Sequence, residues 1–372
     1  MAPFQSSATC LRTTLFFYPF LSRTGCFPCA WLKPQFIMAP CIGGSTLIHH
    51  GTLHWRPSPP SHTHSTLHII YPSSKQIFPR RTSCAAASRK LDDPRAVKFA
   101  ALPNVTLYAG DLSNPADVAG ALEGVTRAML VTGAFSYEQF EVESLFLEAA
   151  AKAGLEVTVR VSTHSGLIKP GTKGAYGRTH HGLEAFIKAG GYKVVDLCPD
   201  WFLSNWFGNA GEAKSTGKIS LPVPGTGPQT TLIDPNDVGL AAAAILSLPT
   251  PALAPFLAKG KIEVKGATAA NFEDVAAALT KAMGYTIGLQ PIPPAGFVAF
   301  LQSLGIPRVF ATSFLETYQQ MDGVVPQGYE GYGKDLFAWA TESSPELLAI
   351  GWKPKTLEEW ANAPATKAVF GK

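Results

Sequence analysis

From residue 105 onward, short β-branched runs alternate with longer helical patterns. That alternation restricts the chain to an α/β fold, with a parallel sheet and crossover helices. Val105–Ala109 reads as a strand ending at Gly110-Asp111. Asn114 can cap the helix that follows, with Pro115 at its first position, and this helix is expected to run to about Gly124. Ala128–Val131 is a short buried strand. A long helix follows from about Tyr137 to Lys152, with Leu145, Ala149 and Ala150 on its buried face and Gly154 ending it. Val157–Ser162 is the next strand, then a helix near Tyr176–Ala189 and a strand at Lys193–Leu197. Asp234-Pro235 opens a helix through Ala241–Leu248. Lys261–Val264 is a strand, Asn271 caps Phe272–Met283, and Gly284 stops that helix. From about Pro293 the chain is rich in Phe, Gly and Pro and reads as irregular helices over a cleft.

The order suits a doubly wound, Rossmann-like sheet with Val105–Ala109 as its third strand. The apolar run Cys84–Ala87 suits the second, and Arg89 stands where that strand ends. No first strand and glycine-rich loop can be placed before it. Such a loop holds the cofactor pyrophosphate at a helix N-terminus. It should lie about 20–26 residues before Ala87-Ser88-Arg89, the spacing set by the intervening helix. That window, residues 60–67, reads PSHTHSTL and has no glycine. Gly43-Gly44 is too far upstream and no amphipathic helix follows it. The first βα unit is therefore expected to be absent, or its place filled from within residues 1–80.

The opening segment is unusual in charge. The first acidic residue of the 372 is Asp92, so all 27 Asp and Glu lie in the remainder. The first 91 residues hold nine Lys/Arg, six of the nine His and five of the six Cys. Without them the chain is acidic, so its net charge of +4 does not point to a nucleic-acid partner for the folded part. A mitochondrial transit segment is rich in Arg and Ser and poor in acids, which fits, but repeated Pro interrupts any helical face. Leu15–Leu21 is too short to span a bilayer and carries Pro19. The remaining reading is a stretch that was never selected as protein, from a misplaced start or a translated leader. On each reading residues 1–81 are expected to be disordered or poorly packed. The Cys26–Cys29 pair lacks the further ligands and flanking pattern of a zinc or redox site and reads as chance. Past Cys84 only Cys198 remains, which suits a reduced compartment. Cytoplasmic residence is expected, or mitochondrial if the opening is a transit segment, with no membrane association. The expected division is a Rossmann-like region at 82–250 and a small α/β substrate-cleft region at 251–372.

Six stretches carry a family resemblance: ASRKLDDPR (Ala87–Arg95), GDLSNPADVAGALEGV (Gly110–Val125), MLVTGAF (Met129–Phe135), FLEAAAKAGLEVTVRVST (Phe146–Thr163), CPDWFLSNW (Cys198–Trp206) and IDPNDVGLAAAAIL (Ile233–Leu246). In this order the chain from about Ala86 to Ala361 resembles the NmrA-like atypical short-chain dehydrogenase/reductases. The resemblance implies a Rossmann domain that prefers NADP(H), with NAD as the alternative, and a C-terminal region closing over a small-molecule substrate. Family members include quinone or aldehyde reductases, redox-sensing regulators that act through protein partners, and fungal secondary-metabolite enzymes of the festuclavine dehydrogenase kind.

Arg89 is placed to pair with a 2′-phosphate, or is a surface arginine. Asp111 is placed to contact the adenine amino group, or caps a turn. Thr132-Gly133 ends the fourth strand, where glycine admits close approach of a ligand. Ser162 and Thr163 follow the fifth strand. Thr163 and Tyr176 have the thirteen-residue spacing of the Ser and Tyr in short-chain dehydrogenases, in which Tyr passes a proton to the carbonyl oxygen. The lysine expected four residues beyond Tyr176 is His180. His181, three residues before Glu184, matches a histidine common in NmrA-like sequences. Pro199, Phe202 and Asn205 match a P-x-x-F-x-x-N that lines the nicotinamide end, with Cys198 where the family usually has Arg. Gly171, Gly174 and Gly177 mimic a dinucleotide fingerprint, yet no strand leads directly into them, and a substrate loop with glycine hinges fits better.

Overall fold

Seven strands form one parallel sheet, and two more form a separate pair. They are β1 (Arg12–Phe16), β2 (Ser83–Ser88), β3 (Val105–Ala109), β4 (Val125–Leu130), β5 (Val157–Val161), β6 (Val194–Pro199), β7 (Lys218–Leu221), β8 (Lys261–Val264) and β9 (Gly288–Pro291). The large sheet has the order β3-β2-β1-β4-β5-β6-β8 and β7 pairs with β9. The computed structural model describes residues 83–88, 90–102, 105–133, 136–169, 171–332 and 339–372, and the strand backbone of 12–16. The order 3-2-1-4-5-6 is that of a doubly wound dinucleotide fold.

The first-strand position, expected to be vacant or filled from within residues 1–80, is filled from there. β1 lies between β2 and β4, with Thr14 opposite both Ala85 and Ala128. An empty centre would leave two strand edges unpaired, and RTTLF, β-branched and apolar, has the composition to fill it. The strand escaped the sequence reading because it lies far outside the window that an ordinary βα spacing defines.

Parallel sheets need cover on both faces. The helices are α1 (Pro94–Ala100), α2 (Pro115–Ala121), α3 (Gln139–Lys152), α4 (Ala175–Gly190), α5 (Ala210–Thr216), α6 (Pro235–Leu246), α7 (Ala254–Lys259), α8 (Phe272–Met283), α9 (Pro294–Ser303), α10 (Arg308–Met321), α11 (Pro345–Ala349), α12 (Leu357–Asn362) and α13 (Pro364–Phe370). One face is packed by Val118, Val142, Phe146, Leu147 and Ala150 of α2 and α3, with Phe186 and Ile187 of α4. The other carries Phe99, Val238, Ile245, Phe256 and Leu347 from α1, α6, α7 and α11. The third cluster joins α5, α8, α9, α10, α12 and α13 beside β7 and β9. None of the helices among the described residues is long and apolar enough to cross a membrane.

The expected starts and stops recur. Asn114 accepts the Ala116 N–H at 3.0 Å, Asp234 accepts that of Asn236 at 2.9 Å, and Asn271 forms a capping box with Asp274. α2 stops at Ala121, short of Gly124. The buried stripe of α3 runs through Val142, Phe146 and Ala150, spaced by four, so Leu145 and Ala149 are only half-buried. β7, β9, α5 and α7 went unread, each being too short to show a period. β8 pairs with β6, so a strand from beyond residue 250 completes the large sheet. Lys355 ties the C-terminal segment to α6: its Nζ reaches Asp234 at 3.1 Å and Asp237 at 2.6 Å.

Candidate active site

In an open parallel sheet, ligands bind beyond the carboxyl ends of the strands. Asp111 follows β3 there, Thr132 and Gly133 follow β4, Ser162 and Thr163 follow β5, and Pro199 ends β6. Phe202 lies just beyond, bridged to Ile233. α4 brings Tyr176 to the same edge, beside the Thr163 side chain. Burial pushes the phenol up to about 12; Thr163 opposes this, Glu143 adds to it, and Arg160 works against it. A phenol so perturbed holds its proton throughout the physiological range.

The start of α4 is fastened to the C-terminal region. The Tyr329 hydroxyl accepts the N–H groups of Lys173 at 2.8 Å and Gly174 at 2.9 Å, and lies 3.4 Å from Glu316 Oε2. Ser313 Oγ accepts the N–H of Tyr176 at 3.3 Å, and the Tyr332 hydroxyl donates to Gly171 O. The glycine triplet is explained by this packing. Gly171 has φ +83°, Gly174 caps α4, and a Cβ on Gly177 would lie 2.5 Å from Leu167 O. Asp196, the acid that would complete a fingerprint, is bound to Arg160 instead.

Beneath Tyr176 lies a buried polar cluster that sequence reasoning missed. Arg160 of β5 is fully enclosed and bonds Asp196 twice, Nε to Oδ1 at 2.6 Å and Nη2 to Oδ2 at 2.7 Å. Its Nη1 donates to Glu143 Oε2 at 2.9 Å, and its Nη2 to Ser162 Oγ at 3.1 Å. Burial disfavours this guanidinium charge, but Asp196 and Glu143 outweigh that and push its pKa upward. Glu143 Oε1 accepts from Thr132 Oγ1 and, at 2.9 Å, from Gln139 Nε2. His180 completes the group: its Nδ1 is 3.2 Å from Ser162 Oγ and its Nε2 is 3.4 Å from Gln139 Nε2. The Tyr176 ring meets the His180 ring edge-on at 4.7 Å. Burial, and then Arg160, hold His180 well below the usual imidazole range, so the ring is neutral.

Tyr176, Thr163, Ser162 and Thr132 are thus brought together through His180 and Glu143. His181 is exposed on the far side of α4, and Glu184 pairs with Lys261 at 3.1 Å. Asp111 accepts the Ser113 N–H at 2.9 Å and hydroxyl at 2.8 Å, the turn-capping geometry. Cys198 is buried, and burial followed by Glu263 and Asp196 pushes its thiol up. His164 stacks on Trp339 at 4.0 Å, and burial brings its imidazole down to about 3. Arg89 and the Cys26–Cys29 pair lie outside the described residues.

Thr132, Gly133, Ser162, Thr163 and Pro199 thus lie along one edge, with Tyr176 above it. Residues 17–24, which follow β1 in the sequence, read FYPFLSRT and contain no glycine.

No protein-family model and no curated protein matches this sequence. Solved structures do. An NADPH-dependent quinone oxidoreductase from Escherichia coli, crystallised with NADPH, is 21% identical with a TM-score of 0.56, over 75% of this chain and 89% of that one. NmrA, a negative transcriptional regulator solved with NADP and with NAD, is 15% identical with a TM-score of 0.54, over 76% of this chain and 87% of its own. A nucleoside-diphosphate-sugar epimerase from Staphylococcus aureus is 13% identical with a TM-score of 0.57, over 75% and 90%. At these identities the likeness establishes the fold: the chain has the Rossmann-like α/β architecture that these proteins share.

Proposed function

We propose that this chain is an NmrA-like reductase that uses NADP(H), with NAD as the lesser alternative, on a small quinone, enone, imine or aldehyde. The observation that carries the reading is the buried Tyr176 hydroxyl beside Thr163 at the carboxyl edge of a doubly wound sheet. Thr132, Gly133, Ser162, Thr163, Pro199 and Phe202 would hold the nicotinamide end, and Arg89 would meet a 2′-phosphate. NADPH would supply a hydride. The protein's part is then to orient the substrate and deliver one proton. Tyr176 delivers it: the O–H bond breaks, the proton passes to the carbonyl oxygen (or to the nitrogen of an imine), and the Thr163 hydroxyl supports the phenolate that remains. The structural relatives crystallised with NADPH, NADP and NAD support the cofactor assignment.

The alternative is a redox sensor that binds NADP(H) without turnover and reports to a protein partner. His180 favours it, because a neutral imidazole stands where short-chain dehydrogenases carry an activating lysine. NADPH fluorescence titration combined with NADPH oxidation against a quinone panel decides between them. Binding with turnover supports the reductase, and binding without turnover supports the sensor. No binding refutes both and identifies the sequence after β1, which lacks a glycine loop, as the cause. Grafting a glycine-rich loop after Phe16 should then restore binding.

A further inference from the structure

We infer that, on the reductase reading of the Tyr176 site, His164 is a specificity-determining residue: its Nε2–H donates to a second oxygen of the substrate, at the far end from the carbonyl that Tyr176 protonates. This assigns the favoured substrate to the para-quinones, which carry an oxygen at each end of one ring. Enones, imines and aldehydes with a single acceptor atom leave the His164 donor unmet.

The place of the ring proton follows from one bond whose direction is fixed. The backbone N–H of Gly166 can only donate, and it reaches His164 Nδ1 at 2.9 Å. Nδ1 is therefore bare. Burial brings the imidazole down to about 3, so the ring is neutral and its single proton sits on Nε2. His164 is only 3% exposed, and Nε2 has no hydrogen-bond partner among the described residues. Trp339 stacks on the ring face at 4.0 Å, which leaves the edge bearing Nε2 for another group. A donor sealed from water without an acceptor is destabilising and rare in native folds, and it marks a place where a further partner binds.

The charged neighbours of the ring are already engaged. Asp200 Oδ1 accepts the Trp201 N–H at 2.7 Å, and its Oδ2 accepts the Thr231 N–H at 3.3 Å and hydroxyl at 3.2 Å. Lys265 is buried, has donors only, and pairs with Glu263 at 2.9 Å. Asp200 favours the charged form of His164, and Lys265 opposes it. Asp200 directly follows β6 and Lys265 directly follows β8, so the ring of His164 lies on the β6–β8 side of β5. Tyr176 lies elsewhere on the edge, where Thr163, Glu143 and Arg160 act on its hydroxyl. Neighbouring strands are about 5 Å apart, a distance that one quinone ring spans between its two oxygens. Trp339 is only half-buried, and is the wall that moves aside to admit the second oxygen.

Two substitutions in the full chain separate the donor from the fold. His164→Asn keeps a side-chain acceptor for the Gly166 N–H and loses the ε donor. His164→Gln keeps an N–H at the ε position and loses that acceptor. With NADPH, KM is measured for menadione, a para-quinone, and for cinnamaldehyde, which has one carbonyl. His164→Asn should raise KM for menadione about five- to tenfold more than KM for cinnamaldehyde, the size of one hydrogen bond. His164→Gln should keep the wild-type ratio of the two within about twofold. A ratio that His164→Asn leaves unchanged, or that both variants change equally, overturns the inference. If the wild-type chain oxidises NADPH with neither substrate, the reductase reading fails, and ¹⁵N NMR decides the contact by itself. The Nε2–H resonance of His164, assigned by its loss in His164→Asn, should move when menadione is added; a resonance that stays in place overturns the contact.

Discussion

Replacing Arg160 with Met should unfold the chain far more readily than any surface change. Met matches much of the arginine stem but leaves the carboxylates of Asp196 and Glu143 buried without their cation. The intact cluster contributes little net stability, because removing three charges from water offsets most of their attraction. Breaking it is different: an uncompensated buried charge costs about 3–5 kcal/mol. Four hydrogen bonds from Arg160 are lost together, two to Asp196 and one each to Glu143 and Ser162. In a domain of this size each kcal/mol moves the melting temperature by about 2–4 °C, so a fall of roughly 8–15 °C is expected by calorimetry.

The two carboxylates set the sign: stranded without a cation, they favour the unfolded chain, in which water solvates them. Adding Glu143→Gln and Asp196→Asn to the variant should recover part of the loss at neutral pH. A fall of less than about 3 °C, the equivalent of roughly 1 kcal/mol, would show that these charges are not sealed from water as the geometry requires.

Two further outcomes are expected. In the reductive direction, kcat should be flat from pH 6 to 9. The donating form of Tyr176 is the protonated phenol, complete well below about 12, and His180 stays neutral because burial and Arg160 depress it. A limb centred near 6.5 would assign the proton to a titrating histidine instead. Tyr329→Phe strands the N–H groups of Lys173 and Gly174, at about 1–3 kcal/mol for each that stays buried. Amide exchange over residues 171–176 should then accelerate at least tenfold, and unchanged exchange would mean that Tyr329 does not hold the start of α4.

The sequence disclosed those parts of this molecule that depend on local chemistry. Asn114, Asp234 and Asn271 bear short polar side chains in front of apolar runs, and each caps the helix it was assigned. The strands β3, β4, β5, β6 and β8 were legible because four to six residues rich in apolar and β-branched side chains between turn signals have few other uses. The Thr163–Tyr176 pair was legible as a spacing, and the two side chains do lie beside one another. The first strand was not. Its partner β2 begins 67 residues after Phe16, so no short-range pattern links the two. The buried cluster was hidden for a related reason. Arg160 and Asp196 are direct partners across β5 and β6, but that register exists only once the two strands pair.

A signal for the cluster was nevertheless present in composition. VTVRV and VVDLC each place one charge inside a run that is otherwise buried, and the two charges are opposite. A charge in a strand covered on both faces must find a partner or forfeit the strand. Two such strands in consecutive βαβ units are neighbours in most parallel sheets. The pairing of Arg160 with Asp196 follows from those two facts, and Glu143 can be added because it sits a helical turn from Gln139 on the covering helix. The same reasoning explains why His180 is buried and His181 exposed. The cluster beneath α4 needs one neutral ring that can bond Ser162 and Gln139 at its two nitrogens, and the next residue along the helix points some 100° away from it. What the site lacks in a Y-x-x-x-K lysine it holds one layer deeper, as a guanidinium whose charge is spent on two carboxylates. Burial leaves Tyr176 un-ionised, the state required of a proton donor.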